Sequence, residues 1–172
     1  MNIIKRIIQA CCIIVLCFGL ISARPLSTST ITINVTTAED EFDTEPNTGC
    51  SLREAIQAAN TGADFGGCTY SGEGDVVINL GAFASDLSFE CTGADDNSCG
   101  DMDITTSLTI QGVGIHDSWI FADRKDRIFD ITGSANVTIN DISLNEATPA
   151  AGEDGSNGVK LVFEEGMRCA GA

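Results

Sequence analysis

Oxygen-bearing side chains crowd the segment between residues 95 and 103. Carboxylate and amide oxygens are the ligands that calcium prefers, and part of the segment has the spacing of an EF-hand loop. However, Cys99 stands at the fifth position of that loop, and Thr106 stands at the twelfth, where a bidentate Glu is needed. The sequence therefore favours a solvated, disulfide-closed loop and predicts no metal or cofactor. The residues that could bind calcium are Asp95, Asn97, Asp101 and Asp103.

A second cluster combines acids and bases. Two carboxylates at a fixed separation can hydrolyse a glycosidic bond, and a basic side chain could serve a lyase by proton abstraction. Nothing in the sequence fixes a separation between any two of these groups, so we interpret them as exposed turn residues. The acids are Asp123, Asp126 and Asp130, and the bases are Arg124, Lys125 and Arg127.

Nucleophilic and zinc chemistry find no support in this sequence. His116 is the only histidine. No G-x-S-x-G or Cys–His arrangement accompanies it, as a catalytic triad would need, and no pair of thiols lies near it, as an ordinary zinc site would need. We interpret His116 as a turn residue. Trp119 and Phe121 are predicted to be core or corner contacts, and nothing in the sequence supports the alternative of a sugar-stacking platform.

The clearest local element is a short helix in CSLREAIQAAN, residues 50–60. Ser51 and Glu54 form the S-x-x-E capping box that starts a helix, and Asn60 with Gly62 supplies a left-handed exit. One apolar stripe at helical spacing predicts a single buried face. That stripe consists of Leu52, Ala55, Ile56 and Ala59. The side chains expected to face away from it are Arg53, Glu54 and Gln57. The capping box assigns Glu54 to the helix start, and Arg53 is expected on an exposed or cross-bridging side.

This segment resembles the CSLREA domain, a module near the N-terminus of secreted bacterial proteins. The resemblance extends to GDMDIT and LTIQG within residues 100–112. It implies an all-β fold, the start of a right-handed parallel β-helix with a short N-terminal capping α-helix. We expect the helix to cover the open end of the first rung, because exposed strand edges invite aggregation.

Strands are predicted from alternating β-branched residues. They lie at Thr30–Thr36, at Asp75–Leu80, at Leu87–Cys91 and in several short runs after Asp101. In those runs, two isoleucine pairs lie about 20 residues apart, a spacing in the range of solenoid rungs. The pairs are Ile110 with Ile131 and Ile120 with Ile142.

The chain is predicted to have four regions. Residues 1–23 have a basic start, an apolar run and a small-residue end, which are typical of a cleaved secretory signal. Residues 24–100 form the cap region, 101–148 the first rungs, and 149–172 an irregular tail that suggests a truncated product. The expected location is secreted or in the cell envelope, with no stable membrane span after cleavage of the signal.

An oxidising compartment makes disulfides the default for the cysteines after the signal. Local pairing favours Cys50 with Cys68 and Cys91 with Cys99, although four cysteines permit three connectivities. Cys169 is left over.

The formal net charge of −16 repels phosphates, so nucleic acid is excluded as a partner. The sequence predicts a structural or adhesion-type protein that is non-catalytic in this chain, with cell-surface or carbohydrate ligands as the partner classes that fit. The alternative is the N-terminal fragment of a carbohydrate-active β-helix enzyme, such as a polysaccharide lyase or glycosidase.

Overall fold

The computed structural model describes residues 29–46, 49–90, 96–124, 127–147 and 162–163. In this part of the chain, strands in parallel sheets predominate and accompany a single helix, α1, at Leu52–Thr61. The strands are β1 (Thr30–Asn34), β2 (Asp75–Asn79), β3 (Ala84–Asp86), β4 (Met102–Ile104), β5 (Leu108–Gln111), β6 (Trp119–Phe121), β7 (Phe129–Ile131), β8 (Val137–Asn140), β9 (Ser143–Asn145) and β10 (Val162–Phe163). The β-rich part of the fold prediction is therefore confirmed.

The named strands pair in parallel and form three sheets. Sheet A has the order β1-β2-β5-β8-β10, sheet B the order β3-β6-β9, and sheet C contains β4 and β7. The chain visits the sheets in a repeating sequence, first through β2, β3 and β4 and then through β5, β6 and β7. As a result, each of these strands pairs with the strand at the same place in the next passage.

A column of isoleucines forms the core of sheet A. Ile33 pairs with Ile78, Ile78 with Ile110, and Ile110 with Ile139, and none of the four is more than 1% exposed. The four strands share one pattern, I-T-I-N, V-V-I-N, L-T-I-Q and V-T-I-N. Because side chains alternate between the two faces of a strand, this pattern buries the aliphatic residues and turns the final amide residues outward.

Those outward amides form hydrogen-bonded pairs between strands. Asn79 Nδ2 donates to Asn34 Oδ1 at 3.0 Å, and Asn140 Nδ2 donates to Gln111 Oε1 at 3.2 Å. Asn79 and Gln111 are themselves register partners, so the four amides form one row across the sheet. The row favours a single register, because a slip by one residue would turn the amides toward the core.

The strand expected at Leu87–Cys91 is not observed over residues 87–90, and residue 91 lies outside the described part. The nearest strand, β3, ends earlier, at Asp86. Beyond it the chain leaves sheet B because the N–H groups of Ser88 and Phe89 donate to the Asp40 carboxylate, at 2.8 and 3.2 Å. A distant carboxylate therefore overrides the local β-propensity.

Neither expected isoleucine pair is a register pair. Ile110 pairs with Ile139, and Ile120 pairs with Leu144. Gln111 and Asn140, which are register partners, lie 29 residues apart in the sequence. The repeat is longer than expected because the loops that join the three sheets add residues without a hydrophobic pattern.

Helix α1 begins and ends through local hydrogen bonds. Ser51 Oγ accepts from the Glu54 N–H at 3.1 Å, and the Glu54 carboxylate accepts from the Ser51 N–H at 3.0 Å. At the other end, Gly62 adopts a left-handed φ of 66° and its N–H donates to the Ala58 carbonyl. The helix contacts β2 and β4, and Ile56 is fully buried in the common core.

Several of the predicted regions are described only in part. The strands β1, β2 and β3 belong to the expected cap region, and β2 and β3 pair with strands of the expected rung region. Residues 1–23 lie outside the described part, and of the expected tail only β10 is described, which pairs with β8. Among the residues described here, no helix has the length and apolar character needed to cross a membrane.

Candidate functional site

The densest polar cluster surrounds the helix face opposite the apolar stripe. Arg53 and Glu54 on this face are 1% and 0% exposed, while Gln57 is half-buried. Of the two expectations for Arg53, the structure shows the cross-bridging one. The acidic segment before the helix and the loop at residues 96–101 cover this face. The helix is consequently buried on nearly all sides, and its polar side chains find protein partners instead of water.

Arg53 and Asp40 form a buried bidentate ion pair. Arg53 Nε donates to Asp40 Oδ1 at 2.7 Å, and Nη2 donates to Oδ2 at 3.1 Å. The two side chains are 0% and 2% exposed. Paired hydrogen bonds between a guanidinium and a carboxylate combine charge with fixed geometry, so this pair holds the segment before α1 against the helix.

The remaining guanidinium donors bind main-chain carbonyls of the loop at residues 96–101. Nη1 donates to the carbonyls of Asn97 and Asp101 at 3.3 and 3.1 Å, and Nη2 donates to that of Gly100 at 2.8 Å. The guanidinium carbon also lies 5.5 Å from the centre of the Phe89 ring, within the range of a cation–π contact. A fixed positive charge therefore occupies the centre of the loop considered for calcium.

The other calcium candidates point to separate partners. Asn97 Nδ2 donates to the Arg53 carbonyl at 3.1 Å, and Asp101 Oδ2 lies 2.7 Å from Arg127 Nε. The carbonyl of Asp103 accepts a hydrogen bond from the end of α1. Asp95 lies outside the described residues. Among the described residues, the acids whose oxygens converge as metal ligands do not include Asp101 or Asp103.

The described carboxylates that do converge are Glu41, Asp43 and Glu54, whose closest oxygens lie within 4.8 Å of one another. Glu54 also accepts the Asp43 N–H at 3.1 Å, and Ser51 Oγ donates to the Glu41 carbonyl at 2.9 Å. Burial raises the pKa of Glu41, and the nearby charges of Glu54 and Asp43 raise it further. The cluster wraps the start of α1, where carboxylates are favoured by the helix dipole.

Asn60 connects the last turn of α1 to the edge of β4. Its Nδ2 donates to the Asp103 carbonyl at 2.7 Å, and its Oδ1 accepts from the Thr105 N–H at 2.9 Å. A primary amide carries the same donor and acceptor as a peptide group, so Asn60 acts as a one-residue substitute for a neighbouring strand. Sheet C pairs β4 with β7 only, and the helix satisfies main-chain groups on the opposite edge.

A disulfide fixes the start of the helix. Cys50 and Cys68 are bonded, with their Cα atoms 4.7 Å apart, and both are 2% exposed. This pairing confirms the predicted disulfide. Cys99 is also disulfide-bonded, while Cys91 and Cys169 lie outside the described residues.

The described members of the second predicted cluster form two separate ion pairs. Arg127 lies beside Asp101 and is 3.7 Å from Asp130, whereas Arg124 lies 3.9 Å from Glu146. Asp123 is exposed and adopts a left-handed φ of 49°. Lys125 and Asp126 lie outside the described residues.

Two other predicted residues lie at the surface. His116 is exposed in a turn. Trp119 and Phe121 are half-buried and flank the fully buried Ile120 on β6, so they occupy the outer face of that strand and not its core.

No family model, curated protein or solved structure matches this chain. The likeness to the CSLREA domain thus rests on the sequence motifs alone, and the chemistry of the chain has to be argued from its own residues.

Two residues that organise the site were missed by the sequence reasoning. The sequence indicates Asn60 only as part of the helix exit and does not single out Asp40. The signal that could have indicated a partner such as Asp40 is Arg53 itself. When a short helix is buried, an arginine on it needs a carboxylate partner. The sequence contains many acids near Arg53, so this signal alone would not have selected Asp40.

Proposed function

We propose that the described residues form the N-terminal cap and first coils of a right-handed parallel β-helix with a structural or adhesion-type role outside the cell. The observation that carries this proposal is the attachment of α1 to the edge of β4 through Asn60 and Arg53. Strand edges without a partner attract other chains. A helix that satisfies such an edge with its own side chains is suited to the end of a stack.

The path of the chain supports the coil part of the proposal. A three-sided coil visits the same three sheets in each turn, and each rung contacts only its neighbours. The passages β2-β3-β4 and β5-β6-β7 have this order and pair in register. Right-handedness is the expectation for parallel strands joined by crossovers in one sheet.

The extracellular role is supported by sequence and covalent structure together. The buried Cys50–Cys68 disulfide is typical of proteins from oxidising compartments, and the first 23 residues have the pattern of a secretory signal. The resemblance to the CSLREA domain implies the same extracellular location. The carbohydrate-active enzyme stays an alternative prediction. Of its candidate carboxylates, Asp130 lies 3.7 Å from Arg127, and Asp126 lies outside the described residues.

The capping role is tested by replacing Asn60 with Ala. The part-buried Asp103 carbonyl and the exposed Thr105 N–H would lose their hydrogen bonds to Asn60, and each lost bond should cost about 0.5–1.5 kcal/mol. We expect urea denaturation to show this loss, and hydrogen exchange to show faster exchange in β4 and in its neighbour β7. The matched control is Asn136→Ala at an exposed loop position, which should leave both measurements unchanged. Faster exchange confined to α1, with β4 and β7 unaffected, would contradict a role in capping the stack.

A further inference from the structure

The loop that follows α1, residues 62–74, is joined to the rest of the fold mainly at one residue. Cys68 is 2% exposed and is the only buried residue of this loop, which is described throughout. Its main-chain hydrogen bonds go to Phe65 in the same turn, and the Tyr70 N–H also donates within the loop. The rings of Phe65 and Tyr70 are half-buried against the core. The covalent bond to Cys50 is therefore the strongest connection of the loop.

Cys50, in contrast, is held in place by hydrogen bonds that do not depend on the disulfide. Its N–H donates to Thr36 Oγ1 at 2.9 Å, and its carbonyl accepts from the N–H groups of Thr36 and Thr37 at 2.8 and 3.3 Å. These threonines follow β1, so Cys50 is attached to the end of the first strand of sheet A. The disulfide consequently joins an anchored residue to a loop whose described hydrogen bonds reach only itself and the end of α1.

The docked loop covers the start of α1. A Cβ atom at Gly66 would overlap the Glu54 carboxylate, so the backbone of this turn lies directly against the capping box. Covering a carboxylate removes it from water, which is costly. Burial, and then the charge of Glu54, raise the pKa of Glu41 beside it. A cavity of about 260 Å³ also lies between the turn and Thr44 and Pro46 of the acidic segment. Non-covalent contacts therefore hold the loop in this position only weakly.

Ordering the loop also costs conformational entropy. Five of its thirteen residues are glycine, the residue that loses the most freedom on folding. A covalent bond lowers this cost because it restricts the open loop before docking. Cys50 and Cys68 are separated by 18 residues in the sequence. In the chain-entropy model, a bond across a loop of about this length favours the closed state by roughly a hundredfold.

We propose that the Cys50–Cys68 bond is an oxidation-dependent latch, which closes the loop at residues 62–74 over the start of α1 only after the chain has reached an oxidising compartment. In the reduced chain the loop is open and the capping box is exposed to water. In the oxidised chain both cysteines are 2% exposed, so the finished bond is out of reach of external thiols. Because the latch regulates the capping helix, the inference rests on the proposed function.

The latch closes by thiol–disulfide exchange with a disulfide-bearing oxidant such as oxidised glutathione. One protein thiolate attacks the oxidant, releases its first thiol and leaves a mixed disulfide. The second protein thiolate attacks the protein sulfur of that mixed disulfide, forms the Cys50–Cys68 bond and releases the second thiol. Two electrons and two protons thus pass from the cysteines to the oxidant.

Hydrogen exchange tests the latch by comparing the oxidised protein with Cys50→Ala/Cys68→Ala, which cannot form the bond. In the variant, we expect the amides of Phe65 and of the first turn of α1 to exchange roughly a hundredfold faster, while β5 and β8 keep their protection. The matched control is Cys99→Ala, which removes a different disulfide and should leave exchange in the loop unchanged. The thiol that this control leaves free is alkylated before the measurement.

A second variant tests the docked position without removing a cysteine. Gly66→Ala places a methyl group against the Glu54 carboxylate, so the loop should dock less readily. The protein is equilibrated in mixtures of reduced and oxidised glutathione, and the Cys50–Cys68 bond is quantified by mass spectrometry. We expect Gly66→Ala to need a several-fold more oxidising mixture for half-formation of the bond. Thr69→Ala, at an exposed position in the same loop, should match the wild type.

Three outcomes would overturn the proposal. Unchanged protection of Phe65 in the double variant would show that the loop closes without the bond. Equal loss of protection in β5 and β8 would show that the bond stabilises the whole fold. Wild-type oxidation of Gly66→Ala would show that the bond forms independently of the docked loop. A failure of the capping proposal is distinguishable, because the Asn60 experiment measures exchange in β4 and β7.

Discussion

Glu41 shows how a single side chain can lower stability within a stabilising cluster. Its Oε2 is buried without a hydrogen-bond partner, and its pKa is raised first by burial and then by the charges of Glu54 and Asp43. A carboxyl group whose pKa is higher in the folded state binds its proton more tightly there. The folded state is therefore favoured below the ordinary pKa of 4.5, and this contribution is lost as the pH rises through the raised value.

Replacing Glu41 with Gln should remove this pH-dependent penalty. We expect the unfolding temperature of the variant to exceed that of the wild type at pH 7, and the difference to shrink toward pH 3, well below the ordinary pKa of 4.5, where Glu41 is protonated in both states. Thermal unfolding followed by circular dichroism at the two pH values measures the effect. Glu45→Gln, at an exposed position in the same segment, is the control. A lower unfolding temperature for Glu41→Gln at pH 7 would mean that the charge of Glu41 stabilises the fold.

Residues differ in how well the sequence predicts them. Ser51, Glu54 and Gly62 act within one turn of their own positions, and so the local motif was sufficient to identify them. The burial of Arg53 depends on segments far from it in the chain, at Asp40 and at the loop containing Gly100. A helical periodicity counts charged residues as surface residues, so it does not show that the face opposite the apolar stripe is buried as well.

At the scale of elements, Arg53 joins three separate segments of the chain. It connects α1 to the acidic segment through Asp40 and to the loop before β4 through the Gly100 and Asp101 carbonyls. Loss of one member of a buried ion pair leaves the other charge without compensation, which typically costs 3–5 kcal/mol. The position of the helix on β4 should therefore depend on this one side chain.

Arg53→Lys is expected to destabilise the protein by about 2 kcal/mol or more, and Arg53→Met by about 3–5 kcal/mol. A lysine keeps the charge but offers one point donor in place of the planar fork that reaches Asp40 and the loop carbonyls together. Urea denaturation measures both losses. Arg124→Lys, at a side chain that is 76% exposed, should change stability by less than about 0.5 kcal/mol. Equal stability of wild type and Arg53→Met would show that the ion pair contributes nothing net.

The sequence predicts an element where its amino-acid composition favours that type of secondary structure. Strands β5 and β8 are rich in β-branched residues, and both lie among the short runs expected to be strands after Asp101. Strand β3 reads Ala-Ser-Asp, which has no β-propensity, and it exists because its backbone pairs with β6. Tertiary pairing of this kind leaves no signal in a local window of sequence. The strand is therefore expected at Leu87–Cys91, just after the residues that form β3.

The whole molecule depends on nearest-neighbour packing within its columns. The isoleucine column of sheet A extends from β1 to β8, and each member pairs only with the members before and after it. These four strands share the four-residue pattern that ends in an amide, and the pattern is visible in the sequence. Loops of unequal length separate its copies, so a fixed spacing between isoleucines does not indicate it.

Ile110 lies in the middle of this column, between Ile78 and Ile139, and is fully buried. Replacing it with Ala should leave a cavity and reduce the free energy of unfolding by about 2–5 kcal/mol. If the described strands unfold as one cooperative unit, protection from hydrogen exchange should fall by the same free energy in β2 and in β8, on both sides of the substitution. Thr109→Ala on the outer face of the same strand is the matched control and should cost far less. Loss of protection in β8 alone, with β2 unchanged, would show that the later passages unfold separately from the part held by α1.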